Sequence, residues 1–174
     1  MSSAARIAVI APLRIGVSRL SAAAAARESV SSIRLDSPAT DASWSADGLF
    51  LAVAYVNPIS DAVHIFNVVD GVVVETVPVT IFESVPSASR VSFLSFGPRR
   101  SSRFLYLACG RSIIIWDRKS GKIAYRFTGS SESITAVAMN VDETNLAVGS
   151  KSGGMVVYSL KTNTPTHLQS RLTQ

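Results

Sequence analysis

The chain lacks several features that would place it in a defined functional class. It has a single cysteine, Cys109, among 174 residues, so no internal disulfide can form and a zinc site built on cysteines is excluded. This composition predicts a reducing, intracellular compartment. Charged residues make up only 17% of the chain, yet no apolar run reaches the length of about 18 residues that a membrane-spanning helix needs.

The residues that are present favour strands. Hydrophobic residues make up 47% of the sequence, and they come in short packets rich in β-branched side chains, which is typical of buried strands. The net charge of +5 would suit an acidic partner. Since the Lys and Arg residues are scattered and no aromatic residue lies among the charges of the two basic turns to stack a base, the nucleic-acid signal is weak.

The first thirty residues allow two interpretations. Their composition resembles a mitochondrial transit peptide, because they contain many Ala and Ser, a single acid and four arginines: Arg6, Arg14, Arg19 and Arg27. The alternation of apolar and polar residues over Arg6–Ile10 and Leu13–Leu20 instead predicts two strands, which we favour. The run Ala22–Ala26 fits either a helical turn or a flexible connector.

The rest of the chain repeats one pattern three times, over about residues 37–80, 88–128 and 132–172. Each copy contains four short apolar segments separated by turn residues, and this predicts four strands. The third segments end on an aromatic residue in every copy: Phe66, Trp116 and Tyr158. Five positions later come Gly71, Gly121 and Asn163, residue types that accept the positive φ of a tight hairpin.

These features resemble the WD40 β-propeller family, whose blades are four-stranded sheets of about forty residues. The resemblance rests on Ile113–Asp117, which ends in Trp-Asp, and on the Lys-Ser-Gly turn after it. It also rests on the aligned aromatic and turn residues of the three copies. It implies an all-β fold: an incomplete propeller of three four-stranded antiparallel blades, with residues 1–30 supplying either a partial blade or a flexible extension. The copies are degenerate, because Trp-Asp occurs once and the Gly-His pair of strong repeats is missing.

A ring of blades closes with four at minimum and commonly with seven. Three copies and a partial one therefore predict that the chain is an N-terminal portion of a longer protein or a truncated product. An open ring exposes apolar sheet faces, so we expect the chain to self-associate when alone.

No arrangement of residues indicates catalysis, and we expect a non-enzyme without cofactor or metal. The segment Gly149–Gly154 has Lys151 where a nucleophile elbow needs Ser and Met155 where a phosphate loop needs Lys, so it is read as a hairpin turn. His64 and Asp61 are three apart on a strand and therefore lie on opposite faces. Cys109 ends an apolar strand and is expected to be buried and inert.

Basic residues in two turns are the candidate partner-binding residues. Arg99, Arg100 and Arg103 lie between the first and second strands of one copy, and Arg118 and Lys119 lie in its last hairpin. Loops at the ends of a scaffold's strands are common docking sites, and cations there would suit an acidic protein or a phosphate. The alternative is an ordinary solvated hairpin tip.

Within the family, the run Arg111–Leu168 is similar to WD40 proteins that recruit γ-tubulin ring complexes to centrosomes and spindles. The similarity is carried by Ile-Ile-Ile-Trp-Asp, by Asn-Leu-Ala-Val-Gly-Ser and by Ser-Gly-Gly-Met-Val-Val-Tyr-Ser-Leu. It implies a protein-binding scaffold for microtubule nucleation, with γ-tubulin complex components as partners, in the cytoplasm and its cytoskeleton. The alternatives are a propeller portion of an enzyme or transport accessory complex, and a mitochondrially targeted WD40 protein.

Overall fold

The computed structural model describes residues 6–11, 14–19, 28–35, 38–55, 61–82, 91–98, 102–128, 132–162 and 164–166, and the structure below refers to these residues. They form fifteen β-strands and one short 3₁₀ turn, Val79–Phe82. No helix in these ranges has the length and apolar character needed to cross a membrane.

The strands form four antiparallel sheets, in each of which sequence neighbours are also hydrogen-bonded neighbours. Sheet 1 has three strands: β1 (Arg6–Ala11), β2 (Arg14–Arg19) and β3 (Glu28–Arg34). Sheet 2 contains β4 (Ala39–Trp44), β5 (Phe50–Tyr55), β6 (Asp61–Asn67) and β7 (Val73–Pro78). Sheet 3 contains β8 (Val91–Phe96), β9 (Phe104–Cys109), β10 (Ser112–Asp117) and β11 (Lys122–Thr128). Sheet 4 contains β12 (Ile134–Met139), β13 (Asn145–Ser150), β14 (Met155–Ser159) and β15 (Thr164–Thr166).

The hairpins use the residues that the sequence predicts. Gly71 and Gly121 have φ of +72° and +62°, in the left-handed region where glycine carries no Cβ penalty. The segment that follows β13 is a hairpin turn to β14, as expected, with the amide of Gly153 bonded to the carbonyl of Ser150. Asn163 lies outside the described residues, and so do residues 167–172 at the predicted end of the third copy.

Successive sheets are joined by three apolar cores. Strand β5 shows how, because its side chains alternate between two neighbours: Leu51, Val53 and Tyr55 belong to a core shared with sheet 1, whereas Ala52 and Ala54 belong to the core shared with sheet 3. A third core joins sheets 3 and 4 and includes Tyr106, Ile115, Leu146 and Tyr158. A sheet that is apolar on both faces can be stable only between two neighbours.

Sheet 3 lies between two such cores, and every residue of β10 is buried. Sheet 4 is covered on one face alone by the described residues. On its other face Ala136, Ala138 and Met155 are exposed. The register places Ala147 and Gly149 beside them, so the exposed part of this face is apolar.

The expected fold class is therefore confirmed: the chain is nearly all β, with three four-stranded antiparallel sheets that stack as propeller-like blades and a three-stranded sheet before them. Strands β1 and β2 occupy the N-terminal segment whose alternation predicted them. The run Ala22–Ala26 lies outside the described residues.

Candidate protein-interaction site

The two basic turns of sheet 3 lie side by side at one end of the sheet. The loop from β8 to β9 and the turn from β10 to β11 must share an end, because the four strands alternate in direction. Backbone contacts confirm the proximity: the amide of Arg118 donates to the carbonyl of Arg103 at 3.0 Å. The guanidinium Nη1 of Arg118 also donates to the carbonyl of Ser102 at 2.9 Å.

Arg103 forms a two-pronged ion pair with Asp117, the aspartate of the Trp-Asp dipeptide. Its Nε and Nη2 donate to Oδ1 and Oδ2 at 2.9 Å and 2.8 Å. The Asp117 carboxylate also accepts bonds from the Lys119 amide and the Ser120 hydroxyl, and the residue is 6% exposed. The bonds from Arg103 hold the pKa of the Asp117 carboxyl well below its usual value, although burial acts in the opposite direction.

Arg118 connects sheet 3 to sheet 2. Its Nε donates to Oε2 of Glu75 in β7 at 2.8 Å, and its side chain is only 14% exposed. The guanidinium lies 4.7 Å from the ring centre of Phe50 and 5.4 Å from that of Phe96, within the range of cation–π attraction. Arg118 therefore helps to hold two sheets together.

Trp116 shares the same acceptor. Its indole Nε1 donates to Oε1 of Glu75 at 3.1 Å, and its ring belongs to the core between sheets 2 and 3. The residue is 6% exposed. Trp116 is thus a packing residue.

Three of the five predicted site residues lie in the described part of the chain, and their surroundings differ. Arg103 and Arg118 are engaged by Asp117 and Glu75, which fixes their positions and uses part of their hydrogen-bonding capacity. Lys119 is exposed at the tip of the turn. Arg99 and Arg100 lie outside the described residues, so their predicted role stays a prediction.

Sequence reasoning missed Glu75, which belongs to a different copy from the arginine and the tryptophan that it binds. The only signal is that an acid interrupts the run of valines Val72–Val74 before Thr76 and Val77. An acid at a half-buried strand position needs a cationic or hydrogen-bonding partner. The sequence shows that need without showing which residue meets it.

Sheets 3 and 4 also line a half-open cavity of about 250 Å³ at this end of the molecule. Its walls include the rings of Phe104, Tyr106 and Tyr125, and its rim includes Glu143 and Lys161. The carboxylate of Glu143 lies against the Cα of Gly97, in the loop that follows β8. A Cβ at this position would meet that carboxylate, so any larger residue requires the Glu143 side chain to move.

The remaining candidates show ordinary structural roles. The His64 Nδ1 lies 3.0 Å from the hydroxyl of Tyr55 on the neighbouring strand, and the two rings meet edge to face. Cys109 is fully buried, as expected. The described residues contain no group of His, Cys, Asp or Glu that could hold a metal ion.

Comparison with known proteins returned no family model that matches the chain and no curated protein that matches it.

Proposed function

We propose that the chain is a non-catalytic scaffold of the WD40 type that binds other proteins through the end of sheet 3 where its two basic turns meet. The observation that carries this proposal is that hydrogen bonds and ion pairs position the residues at that end of the sheet. Two ion pairs and a tryptophan hydrogen bond hold Arg103 and the turn after β10 in place, while Lys119 is left exposed beside a half-exposed Arg103. A preorganised cationic surface loses little entropy when an acidic partner binds.

The proposed partner follows from the resemblance of Arg111–Leu168 to WD40 proteins that recruit γ-tubulin ring complexes. The turn bearing Lys119 lies within that run, so its sequence is part of the resemblance. In this proposal the chain contributes to microtubule nucleation at centrosomes or spindles by binding components of the γ-tubulin complex.

The test is binding of the purified chain to purified γ-tubulin ring complex. The charge-reversed variant Lys119→Glu, alone and with Arg99→Glu and Arg100→Glu, should reduce capture at least about fivefold, and raised salt should do the same. The control is Lys151→Glu, because Lys151 is exposed in the β13–β14 hairpin at the opposite end of the sheets. Equal capture by all variants would place the contact elsewhere, and no capture by the unaltered chain would remove the proposed partner.

A further inference from the structure

The junction between sheets 2 and 3 contains side chains that substitute for a missing strand. The first strand of each sheet is an edge strand, so half of its amides have no partner within the sheet. In β8 two of these amides are bonded by side chains of β4: Leu94 N donates to Oδ2 of Asp41 at 2.8 Å, and Phe96 N donates to Oγ of Ser43 at 3.0 Å. Acceptors two residues apart therefore complete this edge.

The same positions can be identified at the next junction, between sheets 3 and 4, from the strand register. Trp44, Phe96 and Met139 are equivalent, because each pairs with the leucine that opens the second strand's buried run. Counting back from these aligned residues, Phe93 and Ser95 of β8 correspond to the acceptors Asp41 and Ser43 of β4. Val137 and Met139 of β12 correspond to the residues Leu94 and Phe96 of β8, whose amides are the donors.

The amides of Val137 and Met139 point away from sheet 4. The amide of Asn140 donates inward to the carbonyl of Asn145 at 3.1 Å, and amide direction alternates along a strand. The side chain of Phe93 has no acceptor to offer Val137. The Ser95 hydroxyl donates to the Phe96 carbonyl at 2.9 Å, and no hydrogen bond joins it to the Met139 amide. No described side chain bonds these two amides in the way that Asp41 and Ser43 bond the amides of β8.

A cleft of about 170 Å³ lies at this place. Phe93 and Ser95 of β8 line one side, Val137 and Met139 of β12 line the other, and Pro98 is at one end. Glu143 lies against Gly97 near that end, so an acid is tolerated better at Val137 than at Met139. A bound carboxylate at Val137 and a hydroxyl at Met139 would reproduce the order of Asp41 and Ser43.

We propose that this cleft binds an extended segment of a partner protein that carries a carboxylate and a hydroxyl two residues apart, in the order Asp/Glu-x-Ser/Thr. The carboxylate accepts from the Val137 amide and the hydroxyl from the Met139 amide, and the flanking side chains pack on Phe93. The net charge of +5 favours the approach of an acidic segment. The proposal rests on the scaffold function above and names a second contact for it.

The probe is a labelled peptide with the sequence of residues 38–46, which contains Asp41 and Ser43, and the readout is fluorescence anisotropy with the intact chain. Val137→Pro and Met139→Pro remove the two N–H donors, and edge strands accept proline where the N–H faces outward. Each should weaken binding about fivefold or more. Val137→Ala and Met139→Ala keep the N–H groups and should change binding less than twofold, with equal circular dichroism for all four variants.

A peptide in which the residue equivalent to Asp41 is alanine should bind as weakly as the proline variants do. Binding that is unaffected by the prolines would mean that the peptide has exchanged with β4 at the first junction, and it would overturn the proposal. Failure of the unaltered chain to bind at millimolar peptide would also overturn it. Capture of γ-tubulin ring complex is measured on the same variants, so the scaffold function can stand while this contact fails.

Discussion

The indole of Trp116 donates a hydrogen bond to Glu75 across the boundary between two sheets, with 3.1 Å between Nε1 and Oε1. The other carboxylate oxygen of Glu75 accepts from Arg118 at 2.8 Å. One acid on the outer strand of sheet 2 thus holds two residues of the β10–β11 hairpin in sheet 3. The Trp-Asp strand is joined to its neighbour at this point by a polar contact as well as by its apolar core.

Replacing that acid should destabilise the junction. Glu75→Ala leaves the buried indole N–H of Trp116 and the Nε of the largely buried Arg118 without their acceptor, so we expect the free energy of unfolding to fall by about 2 kcal/mol. Urea denaturation followed by tryptophan fluorescence measures the loss. Thr76→Ala, at the exposed neighbouring position, is the matched control and should change stability little. An equal effect of both variants would show that Glu75 adds nothing beyond its place in the strand.

The pair of Asp117 with Arg103 predicts a loss of stability in acid. Because the pKa of Asp117 is lower in the folded chain than its ordinary value near 4, the carboxylate stabilises the fold above that pH. The contribution declines as the pH falls through the folded pKa. Asp117→Asn should therefore lower the urea midpoint clearly at pH 6 and by less at pH 2.5. A difference between variant and unaltered chain that stays constant over this range would contradict the prediction.

The side-chain bonds between β4 and β8 predict a contrast between neighbouring residues of one strand. Asp41→Ala with Ser43→Ala removes the acceptors of two amides and should lower stability by about 1 to 3 kcal/mol. The hydroxyl of Thr40 is buried and has no hydrogen-bond partner among the described residues. Thr40→Val should therefore leave stability unchanged or raise it by up to about 1 kcal/mol. Thermal unfolding of the unaltered chain, the double variant and Thr40→Val measures the difference. A similar loss of stability in both variants would argue against the hydrogen bonds from β8 to Asp41 and Ser43.

Most of the fold could be predicted from the sequence because its signals are local. Alternation and turn glycines mark the strands, and the aromatic column of Phe66, Trp116 and Tyr158 sets the period of the repeat. The contacts between sheets could not be predicted in this way. Asp41 bonds a residue 53 positions away, and nothing near Asp41 in the sequence indicates which amide it meets.

The site was predictable only in part for the same reason. Sequence reasoning located the turns and the cations Arg103, Arg118 and Lys119. It could not distinguish a cation that pairs with Asp117 or Glu75 from one that stays exposed. That difference depends on the register of β10 against β9, which sets Asp117 beside Arg103, and on the distance between β7 and the turn of sheet 3. The register arises only when sheet 3 forms, and the distance only when sheets 2 and 3 stack.

The stability of the chain should be sensitive to the addition of a single methyl group in the loop after β8. Gly97 is buried, and a Cβ built on it would meet the Glu143 carboxylate and come within 3.2 Å of a carbon of the Tyr106 ring. We expect Gly97→Ala to lower stability by about 1 to 2 kcal/mol, since the carboxylate must move. Glu143→Ala in the same chain should restore about half of the loss, as a double-mutant cycle would measure. Additive effects would show that the ring of Tyr106, and not the carboxylate, limits the space.

The open face of sheet 4 predicts self-association of the isolated chain. Ala136, Ala138 and Met155 are exposed on that face, and exposed apolar surface of this kind tends to be covered by another protein surface. Met155→Lys should weaken self-association roughly tenfold or more, because association would bury an unpaired ammonium. Light scattering after size exclusion, over a range of protein concentrations, measures it. The matched control is Val141→Lys, which adds the same charge at a residue that is 80% exposed in the turn after β12. If both variants weaken self-association equally, net charge and not the open face of sheet 4 controls it.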